Sequence, residues 1–249
     1  MPAILGTLRM NTERKQLKQK ARETLLPAWG RHTTVSLILL FIYLAGTSIS
    51  GIWSGASASG GGVVRFAPLF SIVTAIVVEL LTDLFVCGGM QYFLKLQRGE
   101  SPSLKDMSAP FRRQPDRFLI VGIVLIAAEF LCLGPVYVIY AVAPPASPGA
   151  YAILACLAVT GAAVFLRIRL ALSMSRFLLL DDETLGAVPA MRESIRLMNH
   201  RKMKLFLLQL SMIGYLLLAV CTLFIGFIWV IPYVMTVMAG FYDALRKEG

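Results

Sequence analysis

The sequence predicts an all-α protein, a polytopic transmembrane helical bundle of six spans with both termini on the cytoplasmic side. Composition is the first reason: of 249 residues, 57% are hydrophobic and 15% charged, whereas an ordinary soluble domain is about a quarter charged. Length is the second. Apolar runs of about 20 residues recur, enough for a helix rising 1.5 Å per residue to cross a hydrocarbon core of roughly 30 Å, and the mean hydropathy is +0.72. Charge placement is the third. Seven Lys and Arg precede the first span, six lie between Lys95 and Arg117, eight between Arg167 and Lys204, and two follow the last span. Arg65 alone falls outside, so 23 of 24 lie on one side, as the positive-inside rule requires of cytoplasmic segments. The net charge of +10 is thereby explained without nucleic acid as a partner.

Residues 12–26, TERKQLKQKARETLL, put Leu17, Ala21 and Leu25 on one face amid Arg14, Lys15, Lys18, Lys20 and Arg22. This reads as a basic interfacial helix on an anionic leaflet. Pro27 ends it and Trp29 anchors it at the interface. The run from Thr33 to Trp53 is followed by Ala56-Ser57-Ala58, which looks like a signal cleavage site. The run is too long for such a signal, and the stretch before it too long for an n-region, so it is read as a retained first span. Further spans are expected at about 68–92, 118–143, 150–173, 204–222 and 227–245, the first at about 33–53. The last two form one apolar run that a turn near Thr222 to Gly226 divides; a single long span with an interfacial segment is the alternative. The chain is read as a single membrane domain, residues 1–249. Pro135 and Pro232 are expected to kink their spans. Ala152, Ala155 and Ala162 follow helical spacing and suggest close packing in span 4, within one chain or between copies in a homo-oligomer.

The C-terminal third, with Asp181-Asp182, a helix carrying Ser194 and Leu197-Met198, a basic turn before LFLLQLSMIGY, then Gly226, Trp229, Pro232-Tyr233 and Phe241-Tyr242, resembles a known bacterial family. So do LKQKARETLLPAWG and YFLKLQRGESPSLKDM. That family of integral membrane proteins is catalogued only as domain of unknown function 975. The resemblance implies a fold and a plasma-membrane location, and brings no catalytic residues. One departure is His200-Arg201, where the family pattern usually has a glycine-containing turn.

Ionisable side chains interrupt the spans, foremost Glu79, Asp83, Glu129 and Arg167. Glu79 lies about 16 Å from the outer end of span 2 and Glu129 about 16 Å from the inner end of span 3, both near the midplane. Asp83 and Arg167 match in depth at about 22 and 25 Å from outside. A charge at the bilayer centre costs roughly 2.5–3.5 kcal/mol on insertion scales, so each should face the interior and find a partner. Asp83 is expected to pair with Arg167 or Arg169. Glu79 and Glu129 are left as a candidate proton or cation site, or as protonated acids that serve packing. Arg167, Arg169 and Arg176 suit lipid phosphate, or they snorkel to the interface. The helix at 187–199 carries Val188, Met191, Ile195 and Met198 on one face, fit for a membrane surface or a partner.

Enzyme chemistry lacks its usual starting points. His32 and His200 stand at basic boundaries, no His/Cys set has metal spacing, and no Walker loop or nucleophile elbow is present. Asp181-Asp182-Glu183 more often caps a helix than binds a metal. Cys87, Cys132, Cys156 and Cys221 lie in apolar spans and read as small buried hydrophobes. No catalytic residue, metal or cofactor is assigned. The expected partners are the bilayer, its anionic headgroups and a membrane protein, for an accessory or assembly factor; the alternative is a small transporter or channel using Glu79 and Glu129.

Overall fold

A computed structural model describes residues 15–59, 67–112, 114–142, 147–222 and 225–248. The expected positions 12–14, Arg65 and the tip of the 222–226 turn lie wholly or partly outside these residues. Helix is the only regular structure among them, with no strand. The helices are α1 (Lys15–Leu25), α2 (Trp29–Ser59), α3 (Ala67–Gln97), α4 (Ala109–Arg112), α5 (Pro115–Val142), α6 (Pro148–Leu172), α7 (Ser175–Asp181), α8 (Ala187–Leu197), α9 (Lys202–Cys221) and α10 (Phe227–Glu248). The uncertain stretch 204–245 is two helices rather than one. Tyr215 and Tyr233 meet edge to face at 5.5 Å between centroids, and Gly226 turns so tightly that an added Cβ would stand 2.6 Å from the Cα of Ala219.

Neighbouring pairs run α2–α3, α3–α5, α5–α6, α6–α9 and α9–α10, and α10 packs back on α2 and α3. The six long helices thus close on themselves. Their packing is uneven along the axis. In α3 the fully buried residues begin at Leu84 and continue through Cys87 and Gln91–Leu94 to Gln97; in α5 they are Phe118 and Val121, and in α6 Leu170–Leu172. Toward the other end Leu131 is 80% and Ile153 73% exposed. Lipid is as apolar as leucine, so the outer halves gain little by enclosing each other. Water at the charged end supplies the hydrophobic drive. There the connecting segments bury Met107, Phe177, Leu178, Ala190 and Met198 in the same core.

Several expectations change in this light. The stripe Leu17, Ala21 and Leu25 is not turned to lipid: Ala21 and Leu25 are fully buried, Leu17 packs on the core, and Lys18 and Arg22 lie over the rings of Tyr215 and Tyr233 at 5.6 and 5.8 Å. Burial of the stripe and these cation–π contacts tie α1 to α9 and α10. Ala152, Ala155 and Ala162 all face outward. The close approach in α6 is made by Gly161, whose Cβ would overlap the Cys132 carbonyl. Of the cysteines, Cys87 is buried and Cys156 and Cys221 are exposed. Pro135 and Pro232 sit inside continuous helices.

Between α6 and α7 the helical hydrogen bonding is interrupted at Ser173–Met174, within a run Pro148–Asp181 that continues across the break. Ser194 of α8 holds it together, its hydroxyl donating to the Ala171 carbonyl (2.7 Å) and accepting from the Met174 amide (3.2 Å). Two backbone groups freed by the break are thereby satisfied inside the core, where an unpaired one costs about 1–3 kcal/mol. At the next turn His200 takes a left-handed φ of 61°, a conformation that glycine adopts without a Cβ penalty. Histidine therefore bears the strain of this turn.

Candidate functional site

Three acidic residues of the spans, Glu79, Asp83 and Glu129, lie on the two helices α3 and α5 that pack against each other. Asp83 receives a salt bridge from Arg176 at 2.8 Å, with side-chain exposures of 19% and 23%. The direct partner is therefore neither Arg167 nor Arg169; the charge of Arg169 reaches Asp83 only at longer range. Two placements account for this. Arg176 lies nine residues past Arg167 along the same helical run, Pro148–Asp181, and so nearer the charged end. Asp83 also lies nearer the charged end than its place in α3 suggests, because it stands beside Gly122, whose Cβ would meet its Oδ2 at 3.4 Å. Gly122 is only about 10 Å along α5 from Pro115.

Arg176 is consequently bound within the protein, and its expected role as a lipid-phosphate contact gives way to a structural one. Arg167 and Arg169 are exposed on α6. Glu79 and Glu129 are exposed too, rather than enclosed. They are nevertheless not independent. Glu79 is four residues above Asp83 and Glu129 seven above Gly122, so each continues its helix's seam-facing stripe. Glu79 feels the charges of Glu129, Asp83 and Arg176.

At the charged end a second constellation was not legible in the sequence. Arg98 bridges Asp181 at 2.7 Å and Asp243 at 2.9 Å. Arg246 also pairs with Asp181, and the Tyr242 hydroxyl donates to it at 3.0 Å. Tyr242 in turn stacks on Phe177. Linked charges of this kind hold together the ends of α3, α7 and α10, where a lone exposed pair contributes little. Nearby, Asp106 caps its own turn through Ser103 and pairs with Lys95 at 2.8 Å. Arg117 donates to the carbonyls of Glu183 and Leu185 at 2.5 and 2.9 Å. Asp182 closes an Asx turn, and hydrogen bonds from the Thr184 hydroxyl and amide hold its carboxyl below the usual carboxylate range. Its acidic run is thus engaged locally. Among the described residues no group of three His, Cys, Asp or Glu could hold a metal ion.

Between Gln91 of α3, the start of α5 and α7 lies a cavity of about 240 Å³, whose lining includes Arg112 and Arg117. Gln91 is 4% exposed, and its Oε1 has no hydrogen-bond partner. Only the folded chain brings these residues together, and periodicity carries no signal for it.

The fold defines a helical protein of the membrane-spanning kind: among the described residues five helices are long and apolar enough to cross a bilayer, or six if Lys15–Leu25 and Trp29–Ser48, bent by 103°, act as one span. The chain belongs to the family described as protein of unknown function (DUF975), whose model matches residues 10–249. No curated protein and no solved structure matches it.

Proposed function

We propose that the protein is a non-enzymatic accessory or assembly factor of the bacterial plasma membrane, with both termini cytoplasmic, whose basic end engages anionic lipid or a membrane-protein partner. The observation that supports this reading is the free face of α8. Ala187, Ala190 and Ser194 are buried in the core, whereas Val188 and Ile195 stand 50% and 48% exposed at the most tightly packed end of the molecule. Arg192 and Arg196 are exposed on the same helix. An apolar pair among guanidiniums suits a surface that offers both acyl chains or apolar side chains and negative charge. The protein purified from native membranes should retain a stoichiometric protein or an enrichment of anionic lipid. With Val188→Ser and Ile195→Ser, which leave the buried face intact, that association should fall several-fold at unchanged thermal stability. Equal retention by the variant would reject the reading.

A second reading, a small transporter or channel, is favoured by the placement of Glu79 and Glu129 on the stripes by which α3 and α5 meet, Glu79 four residues from Asp83 and Glu129 seven from Gly122. Two nearby carboxylates raise each other's proton affinity, and such a pair suits a proton or a monovalent cation. In proteoliposomes this reading expects pH-dependent ion flux that Glu79→Gln and Glu129→Gln each reduce by roughly tenfold or more, one lost charge interaction being of the order of a pKa unit. Flux identical in both variants removes it.

A further inference from the structure

We propose that the cavity between α3, α4, α5 and α7 binds a phosphate ester that also carries a hydroxyl, as a glycerophosphate headgroup does. The site is built from groups of complementary chemistry. Arg112 and Arg117 line it, with Glu183 on the rim; two guanidiniums against one carboxylate leave the lining net positive. Arg117 is oriented by the Glu183 and Leu185 carbonyls, which occupy one of its terminal nitrogens and leave the rest of the fork for an anion. Arg112 makes no hydrogen bond or ion pair among the described residues. Guanidinium forks match phosphate oxygens better than any other side chain.

Gln91 supplies the second requirement. It is 4% exposed, and its Oε1 accepts nothing from the protein. A buried acceptor left unpaired costs about 1–3 kcal/mol, and a hydroxyl donor entering the cavity relieves that cost. Phe118 and Leu179 close the remaining wall with apolar surface. A volume of about 240 Å³ is below the roughly 300–1,000 Å³ of drug-sized sites, so it suits a headgroup rather than a nucleotide. The cavity also lies where α5 begins its apolar run at Pro115. On the lipid reading of the basic end, on which the lipid source depends, this is headgroup level.

Two sources share this chemistry, a phosphatidylglycerol headgroup and soluble glycerol phosphate, and the experiment separates them. Full-length protein is reconstituted in nanodiscs containing phosphatidylglycerol or phosphatidylcholine, and bound lipid is read by native mass spectrometry with glycerol 3-phosphate as competitor. Retention of phosphatidylglycerol should exceed that of phosphatidylcholine and fall about tenfold or more in Arg112→Gln, the loss of one charge-assisted hydrogen bond. Gln91→Leu should abolish the preference for the hydroxylated headgroup while leaving phosphate binding in place. Direct binding of glycerol 3-phosphate in phosphatidylcholine nanodiscs, without retention of phosphatidylglycerol, supports the pocket with a soluble ligand and removes the lipid reading of it. Retention of phosphatidylglycerol that Arg112→Gln leaves unchanged overturns the pocket and leaves the lipid reading of the basic end standing. Binding of none of the three probes overturns it as well.

Discussion

Replacing Asp83 by leucine is expected to destabilise the protein by about 3–5 kcal/mol, because it leaves the guanidinium of Arg176 desolvated and without its counter-ion. The pair is 2.8 Å long and about four-fifths enclosed, and the Arg176 Nε already lacks a partner, so no other acceptor stands ready. The companion variant Arg176→Met should be harmful too, through the mirror-image loss. Combining the two removes both charges and leaves apolar side chains facing each other, and most of the stability should return, since an apolar replacement of a buried pair is often neutral or better. Thermal unfolding in detergent of the wild type, both single variants and the double variant forms a complete cycle. Additive losses in the double variant would show that Asp83 and Arg176 do not depend on each other.

Gly88→Ala is the other change with a large expected cost, and its cause is steric. A Cβ at this position would overlap the Met107 carbonyl oxygen, with the Met107 carbonyl carbon 2.9 Å away. The obstacle is backbone, so no rotamer change relieves it. Either α3 or the segment Leu104–Ser108 must move, and that segment carries the Ser103–Asp106 cap and the Lys95–Asp106 ion pair. Overpacking of this kind costs about 1–3 kcal/mol and occasionally more. Gly134→Ala, in α5, is the matched control, because nothing lies within 4 Å of its Cβ position. Thermal stability should drop for the first and stay level for the second. A Gly88→Ala protein as stable as the control would mean that the 103–108 segment is not seated on α3.

The two variants illustrate what a linear reading can reach. That Asp83 needs a basic partner follows from the cost of a charge among apolar residues, which composition alone reveals. Which arginine answers that need depends on where the run Pro148–Asp181 meets α3, a contact between residues 93 positions apart that no local pattern announces. The apolar stripe of α1 was similarly visible as a period, yet a period reports that a face is covered without saying whether lipid or protein covers it. Tyr215 and Tyr233 decide that Lys18 and Arg22 belong to the bundle. Glu79 and Glu129 were expected inside and stand exposed, while the cavity around Gln91 and Arg117 draws on three helices distant in sequence.

The helical class, five or six apolar helices among the described residues and the concentration of Lys and Arg in the connecting segments were legible in the sequence itself, because each is a local sum: transfer free energy over about 20 residues, or charge in one connecting segment. Pairing, burial and the pocket were decided only by tertiary structure. Helices surrounded by lipid gain little from one hydrophobic neighbour over another, so their arrangement rests on small-residue contacts such as Gly161 and Gly88 and on polar groups that must find partners. These are distances between remote residues, and only the folded chain sets them.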